Sequence, residues 1–278
     1  MTSSDAPDKD VTPDQQETTP AGDATPNDNP PGSSGSRSGL GALGRGVREL
    51  AIVVVLALII SAGVRAFLGQ VFVIPSASMA DTVQVSDRVV AVKPFTPQRG
   101  DIIVFQDPGG WLEAPPAPRE GVGRVLQFIG LLPDTSTNHL LKRIIGMPGD
   151  EVVCCDAEGR LVINGYSLDE TSYLRPGSDP ATIEFRVVVP ADRVFVLGDN
   201  RNASRDSRCH LATITNDGQP QGMIAFVPMA DIVGPAKLRV APLSRMGTLG
   251  RPAVFDQVPD PSSPAPAKPV IDPVGVGC

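Results

Sequence analysis

Two serines stand two residues apart in "VFVIPSASMADT", residues 71–82, directly behind a long apolar segment. A serine hydroxyl becomes a nucleophile only beside a base that takes its proton. The chain holds two histidines, His139 and His210, so a Ser-His-Asp triad has few ways to form. A lysine can replace the histidine if burial among apolar neighbours strips its proton. Lys142 has that setting, between Leu140, Leu141, Ile144 and Ile145. His139 precedes it by three residues, so alternation along a strand puts the two on opposite faces. One or the other can face a site with Ser78, and the apolar flank favours Lys142. Taken singly, each residue has a plainer reading: the serines as a turn leaving the apolar segment, the lysine as an ordinary strand-edge lysine. Cys154 and Cys155 are adjacent, with no CxxC or HxxxH spacing beside them, so neither a metal nor another cofactor is expected.

The elements that must position these residues read as strands. From Gln70 to about Pro242 come "DRVVAVK", "DIIVF", "LLKRII", "RLVING", "IEFRVVV", "RVFVL", "MIAFVP" and "AKLRVA", each short, rich in Val and Ile and bounded by turn residues. This predicts a mainly β domain of coiled antiparallel sheets, or a partly open barrel, over 70–245. Residues 107–138, with Pro and Gly at their edges, read as an insertion with one short helix near 121–132.

Residues 50–64, "LAIVVVLALIISAGV", carry no charge, and the apolar character continues through "AFLG" and "VFVI" beyond Arg65. With that extension the segment, taken as 45–69, is long enough for one transmembrane helix. Arg37, Arg45 and Arg48 precede its uncharged run, and positive charge stays on the cytoplasmic side, so the N-terminus is expected inside and the β domain outside. Residues 1–44, acidic, Pro-rich and without aromatic side chains over the first 37, read as a disordered cytoplasmic tail. Residues 246–278 read as a second, extended Pro-rich tail. A net charge of -7 and pI near 4.9 give no basic field for nucleic acid.

Four stretches in order, "IPSASM" at 74–79, "RGDIIVF" at 99–105, "KRIIGMPGD" at 142–150 and "VLGDNRNASRDSR" at 196–208, resemble the conserved boxes of bacterial type I signal peptidases. The resemblance covers roughly residues 65–245. It implies an endopeptidase, with Ser78 as nucleophile and Lys142 as general base, that removes N-terminal signal peptides from exported preproteins after small residues of the Ala-x-Ala kind. It implies an oxyanion hole from the Ser76 hydroxyl and the Ser78 backbone N–H. Ser204 is similar to the serine that orients the lysine, Asp206 and Arg208 to a supporting ion pair, and Gly198, Asp199 and Asn200 to the loop that holds this wall. Phe72, Ile74, Met79, Val83, Leu140 and Leu141 match residues near the shallow substrate pockets. The partners implied are signal peptides and the lipid bilayer, with the secretion translocon as a candidate neighbour.

Ala77 stands where the family often has Gly, and Ser86-Asp87 where Gly-Asp is usual. Two rival classes are weighed against this reading. A self-cleaving repressor-type Ser-Lys protease would carry a DNA-binding domain in place of the apolar segment. A catalytically inactive, membrane-tethered β scaffold would not need intact Ser78, Lys142 and Ser204. An exported domain permits disulfides, and a bridge from Cys154 or Cys155 to Cys209 is expected, because both segments must converge on the site.

Overall fold

The structure, a computed structural model, describes residues 39–67, 69–112, 120–123, 138–179, 183–272 and 278. The chain divides into two units, 1–50 and 51–278. The only α-helix among the described residues with more than two residues, α1, spans Gly39–Phe67 and exposes Leu50, Val53, Ile59 and Ile60. The expected anchor runs into positions 62 and 64–68, which lie outside the described side chains. Among the described residues no helix is long and apolar enough to cross a membrane. The expected N-terminal tail falls outside the described residues up to residue 38, as do the greater part of the insertion and its candidate helix from residue 124 on.

Among the described residues, thirteen strands follow in two antiparallel sheets. The larger joins β1 (Gly69–Val73), β2 (Arg88–Val92), β11 (Ile232–Ala241), β3 (Ile102–Gln106), β4 (His139–Gly146), β9 (Arg193–Leu197) and β10 (Phe226–Pro228) in that order, with β12 (Gly247–Thr248) added to β11. It curls into a half-barrel. The smaller runs β13 (Val270–Asp272), β8 (Phe185–Val188), β5 (Glu151–Cys154), β6 (Leu161–Ile163), β7 (Tyr166–Ser167).

All eight strand-like stretches of the sequence form strands, and the burial patterns show why. In β2, "RVVAV" alternates and buries Val89 and Ala91 on one face. In β3, "IIVFQ" is apolar on both faces because it lies between two cores. Ile102 and Val104 join Phe72, Ile74, Met79, Val83 and Leu141, whereas Ile103 and Phe105 join Trp111, Ile144 and Val196. A third core, around Phe185, Phe195 and Phe226, fills the space under the smaller sheet.

Two expectations are corrected. Cys154 is bonded to Cys155 and Cys209 to Cys278, so no bridge joins the pair to Cys209. The reason is topological: β5 belongs to the smaller sheet, while Cys209 lies in a 3-10 turn after β9 of the larger one. The C-terminal segment, expected as an extended Pro-rich tail, is packed over its described residues and includes a 3-10 turn at Ala253–Gln257. Leu249, Phe255 and Val258 are buried, and β13 pairs with β8 through Val270–Asp272. Its prolines leave room for one aromatic anchor and a short edge strand.

Candidate active site

The serines sit in the loop between β1 and β2. That loop is closed at its base, where Ile74 N–H donates to Asp87 O at 2.9 Å and Ser86 N–H to Ile74 O at 2.8 Å. Ser86 takes φ 70° there, the left-handed region in which Gly is usual, whereas Ala77 is not among the residues with positive φ. Ser78 is 6 % exposed, and its Oγ lies 3.3 Å from Ser76 Oγ.

The segment 198–200, leaving β9, grips this loop. Asn200 N–H donates to Ser78 O at 3.0 Å, and its side-chain amide donates to Ala77 O at 3.0 Å. Asp199 N–H meets Met79 Sδ at 3.4 Å, and Thr82 Oγ1 donates to Asp199 Oδ2 at 2.6 Å. Gly198 is the tightest point. A Cβ there would lie 2.2 Å from Ser204 Oγ and 2.5 Å from Ser78 O. The serine loop and Ser204 therefore close on the same spot, which only a residue without a side chain can occupy.

Lys142, central in β4, is 2 % exposed, and its Nζ donates to Ser204 Oγ at 3.0 Å. Burial lowers its pKa to about 8, with Asp206 opposing, Arg208 reinforcing and Asp199 opposing the shift. Asp206 is itself buried. Desolvation alone would raise its carboxyl, but the Arg208 guanidinium, which bonds both its oxygens at 2.9 Å, holds it below the usual carboxylate range. Asp206 also accepts from Gly198 N–H at 3.1 Å.

Phe72, Ile74, Met79, Val83 and Leu141 are buried together in one core beside the serine loop. Leu140 is not with them: alternation along β4 turns it to the opposite core, against the cluster of Ile103 and Trp111. His139 lies against Phe72, ring centroids 4.9 Å apart, and His210 is stacked on Trp111 at 4.7 Å, its pKa lowered by burial and by Arg205. Among the described residues no group of three His, Cys, Asp or Glu side chains could hold a metal ion.

The sequence reading missed a group of buried partners. Arg143, next to Lys142, bonds both oxygens of Asp199 at 2.8 and 2.6 Å and Gly100 O at 2.7 Å. An arginine inside the apolar run "LLKRIIG" was the available signal, because a buried guanidinium needs a carboxylate. Glu170, Tyr173 and Arg201 form a further buried set.

A family description, signal peptidase, peptidase S26, matches residues 47–241. The chain belongs to the signal peptidase I family. It is 35% identical over 227 residues to signal peptidase I of Mycobacterium tuberculosis (strain ATCC 25618 / H37Rv), covering 73% of this chain and 75% of that one. It is 34% identical over 214 residues to signal peptidase I of Leptolyngbya laminosa, covering 76% and 85%. A solved signal peptidase I from Enterococcus faecalis V583 shares 27% identity over 51% of this chain and 97% of that one, with a TM-score of 0.30. The activity that signal peptidase I membership brings is serine-peptidase cleavage of signal peptides, and the family is membrane-bound.

Proposed function

We propose that Ser78 is the nucleophile and Lys142 the general base of this signal peptidase. The observation that carries the assignment is the buried Lys142 Nζ, 3.0 Å from Ser204 Oγ, with a pKa near 8. A neutral amine accepts the Ser78 proton as Oγ attacks the scissile carbonyl carbon, and the carbonyl π pair moves onto oxygen. The Ser78 N–H and the Ser76 hydroxyl donate to that oxyanion. Collapse expels the new N-terminal amine, protonated by the Lys142 ammonium. Lys142, neutral again, takes a proton from water as the oxygen attacks the acyl-enzyme, and returns it to Ser78 Oγ as the ester bond breaks.

Ser204 orients Nζ by its hydroxyl, the Asp206 and Arg208 pair supports it, and Gly198, Asp199 and Asn200 hold the serine loop. Phe72, Ile74, Met79, Val83 and Leu141 supply apolar walls whose shallow pockets admit the small side chains of Ala-x-Ala, and Leu140, in the opposite core, is left out of them. The uncharged run 50–64 of α1, with Arg45 and Arg48 before it, supports an anchor with the N-terminus inside, and protease added to spheroplasts should then digest the β domain and spare the N-terminus. The assignment is tested by turnover of a preprotein substrate ending in Ala-x-Ala. Ser78→Ala and Lys142→Arg should both be inactive although folded, since a guanidinium stays protonated. Turnover by either would refute it.

A further inference from the structure

Behind the proposed dyad, three arginines pair with three carboxylates, all six side chains buried. Arg143 holds Asp199 and Arg208 holds Asp206. The third pair, Arg201 with Glu170, has no part in the proposed mechanism, although Arg201 falls within the 196–208 box. Glu170 and Tyr173 come from the turn after β7, in the smaller sheet, yet their contacts reach the larger sheet. Both oxygens of Glu170 accept from Arg201, Nη1 to Oε2 at 3.1 Å, and Oε1 also accepts from the Tyr173 hydroxyl. Arg201 Nε donates to Gly198 O at 3.0 Å, and Arg201 O accepts from Arg208 Nη2 at 3.0 Å. The Tyr173 ring lies under the Arg143 guanidinium, 4.4 Å away, and its backbone O accepts from Thr82 Oγ1 at 3.4 Å.

We infer that Glu170, backed by Tyr173, is a positioning residue for the Ser78 and Lys142 dyad: it fixes Arg201, which holds the Gly198 carbonyl and so sets the wall that keeps Ser204 against Lys142. The inference rests on the proposed dyad. Gly198 is held on both sides, its N–H by Asp206 and its carbonyl by Arg201. It has no side chain to fix it otherwise. A glycine peptide freed at one end rotates at little cost, and the contact it faces is the one that aims Nζ.

Charge gives this role a signature that packing alone does not have. Arg201 faces Glu170, Tyr173 and Asp206, with Arg143 beyond, while Lys142 faces Asp206, Arg208 and Asp199. Neutralising Glu170 leaves Asp206 as the remaining carboxylate facing Arg201. Asp206 is also the leading anion supporting the Lys142 ammonium, so its diversion toward Arg201 favours the neutral amine.

The test uses the full chain in detergent with an Ala-x-Ala preprotein substrate, measuring kcat and KM separately from about pH 6 to about pH 10. Glu170→Gln should lower kcat about tenfold, leave KM within about twofold, and move the acid limb of kcat to lower pH. Glu170→Asp, which restores the charge, should return the limb to its wild-type position. Tyr173→Phe should lower kcat a few-fold at constant KM with the limb unmoved. Wild-type kcat and limb in folded Glu170→Gln overturn the inference, as does a kcat loss with an unmoved limb. If Glu170→Gln does not fold, wild-type kcat in Tyr173→Phe overturns it and a kcat loss at constant KM supports it. Activity surviving in Ser78→Ala or Lys142→Arg would remove the dyad itself; with both inactive, a wild-type-like Glu170→Gln removes this inference alone.

Discussion

Replacing Lys142 by methionine should make the protein's relative stability depend on pH in a calculable way. The lysine is ordinarily protonated below 10.5 and here below about 8. Below pH 8 both folded and unfolded chains carry the proton, and the folded state bears the full penalty of a buried ammonium. Between 8 and 10.5 the unfolded chain holds more protons than the folded one, so stability rises with pH. Above 10.5 both are neutral and the penalty is gone. The gap between the two values corresponds to about 3 kcal/mol. Methionine has similar length and no charge, and it leaves the Ser204 hydroxyl without its partner at a cost of about 1–3 kcal/mol that does not vary with pH in this range. The difference in unfolding free energy between Lys142→Met and wild type should therefore fall by about 3 kcal/mol, to the disadvantage of the mutant, from pH 7 to above pH 10.5. Guanidinium unfolding of the detergent-solubilised proteins at matched pH measures it, and wild-type kcat should rise with an apparent pKa near 8. A pH-independent difference would refute the burial argument for Lys142 as base.

Gly198→Ala puts a Cβ within 2.5 Å of both Ser204 Oγ and Ser78 O; it should abolish turnover in an assay where Ser204→Ala, which only removes the bond to Nζ, retains a measurable fraction. Mass spectrometry without reduction should find Cys209 linked to Cys278, a closure over 69 residues, and its reduction should lower stability by up to about 4 kcal/mol on chain-entropy grounds; thermal melts with and without reductant read this. Ser86→Gly should stabilise the fold by about 1 kcal/mol, because φ 70° is unfavourable for serine, with activity unchanged.

Much of the fold was legible because alternation and turn residues are local signals. The eight strands read from the sequence all have a Val- or Ile-rich run between breakers. The strands that escaped, β1, β5, β7, β12 and β13, are apolar continuations of another segment or are two to five residues long, and their existence depends on a partner strand. β13 is extended because β8 offers an edge, which nothing in "PVID" announces. Within the candidate site, Ser78, Lys142 and the segment 198–208 could be read because their spacing is a motif. Glu170 and Tyr173 could not, since they act through the tertiary meeting of two sheets. The Cys209 partner was hidden for the same reason: Cys278 lies in a segment whose composition resembles a free tail.

The pairing of β2 with β11 fixes when in the life of a chain this enzyme can first act. Ser78 lies in the loop before β2, and β2 bonds to Ala236–Ala241. A ribosome that has just made Ser78, the proposed nucleophile, must therefore add about 160 further residues before the sheet around it can close. At about 5–20 residues per second that interval is on the order of ten seconds. Throughout it Ser78 lacks the completed sheet that sets Lys142 and the 198–208 wall beside it, so on the proposed mechanism a nascent chain is inert toward its neighbours and toward itself. Contacts of such wide sequence separation form late, and the catalytic power of this protease switches on as a single event after synthesis.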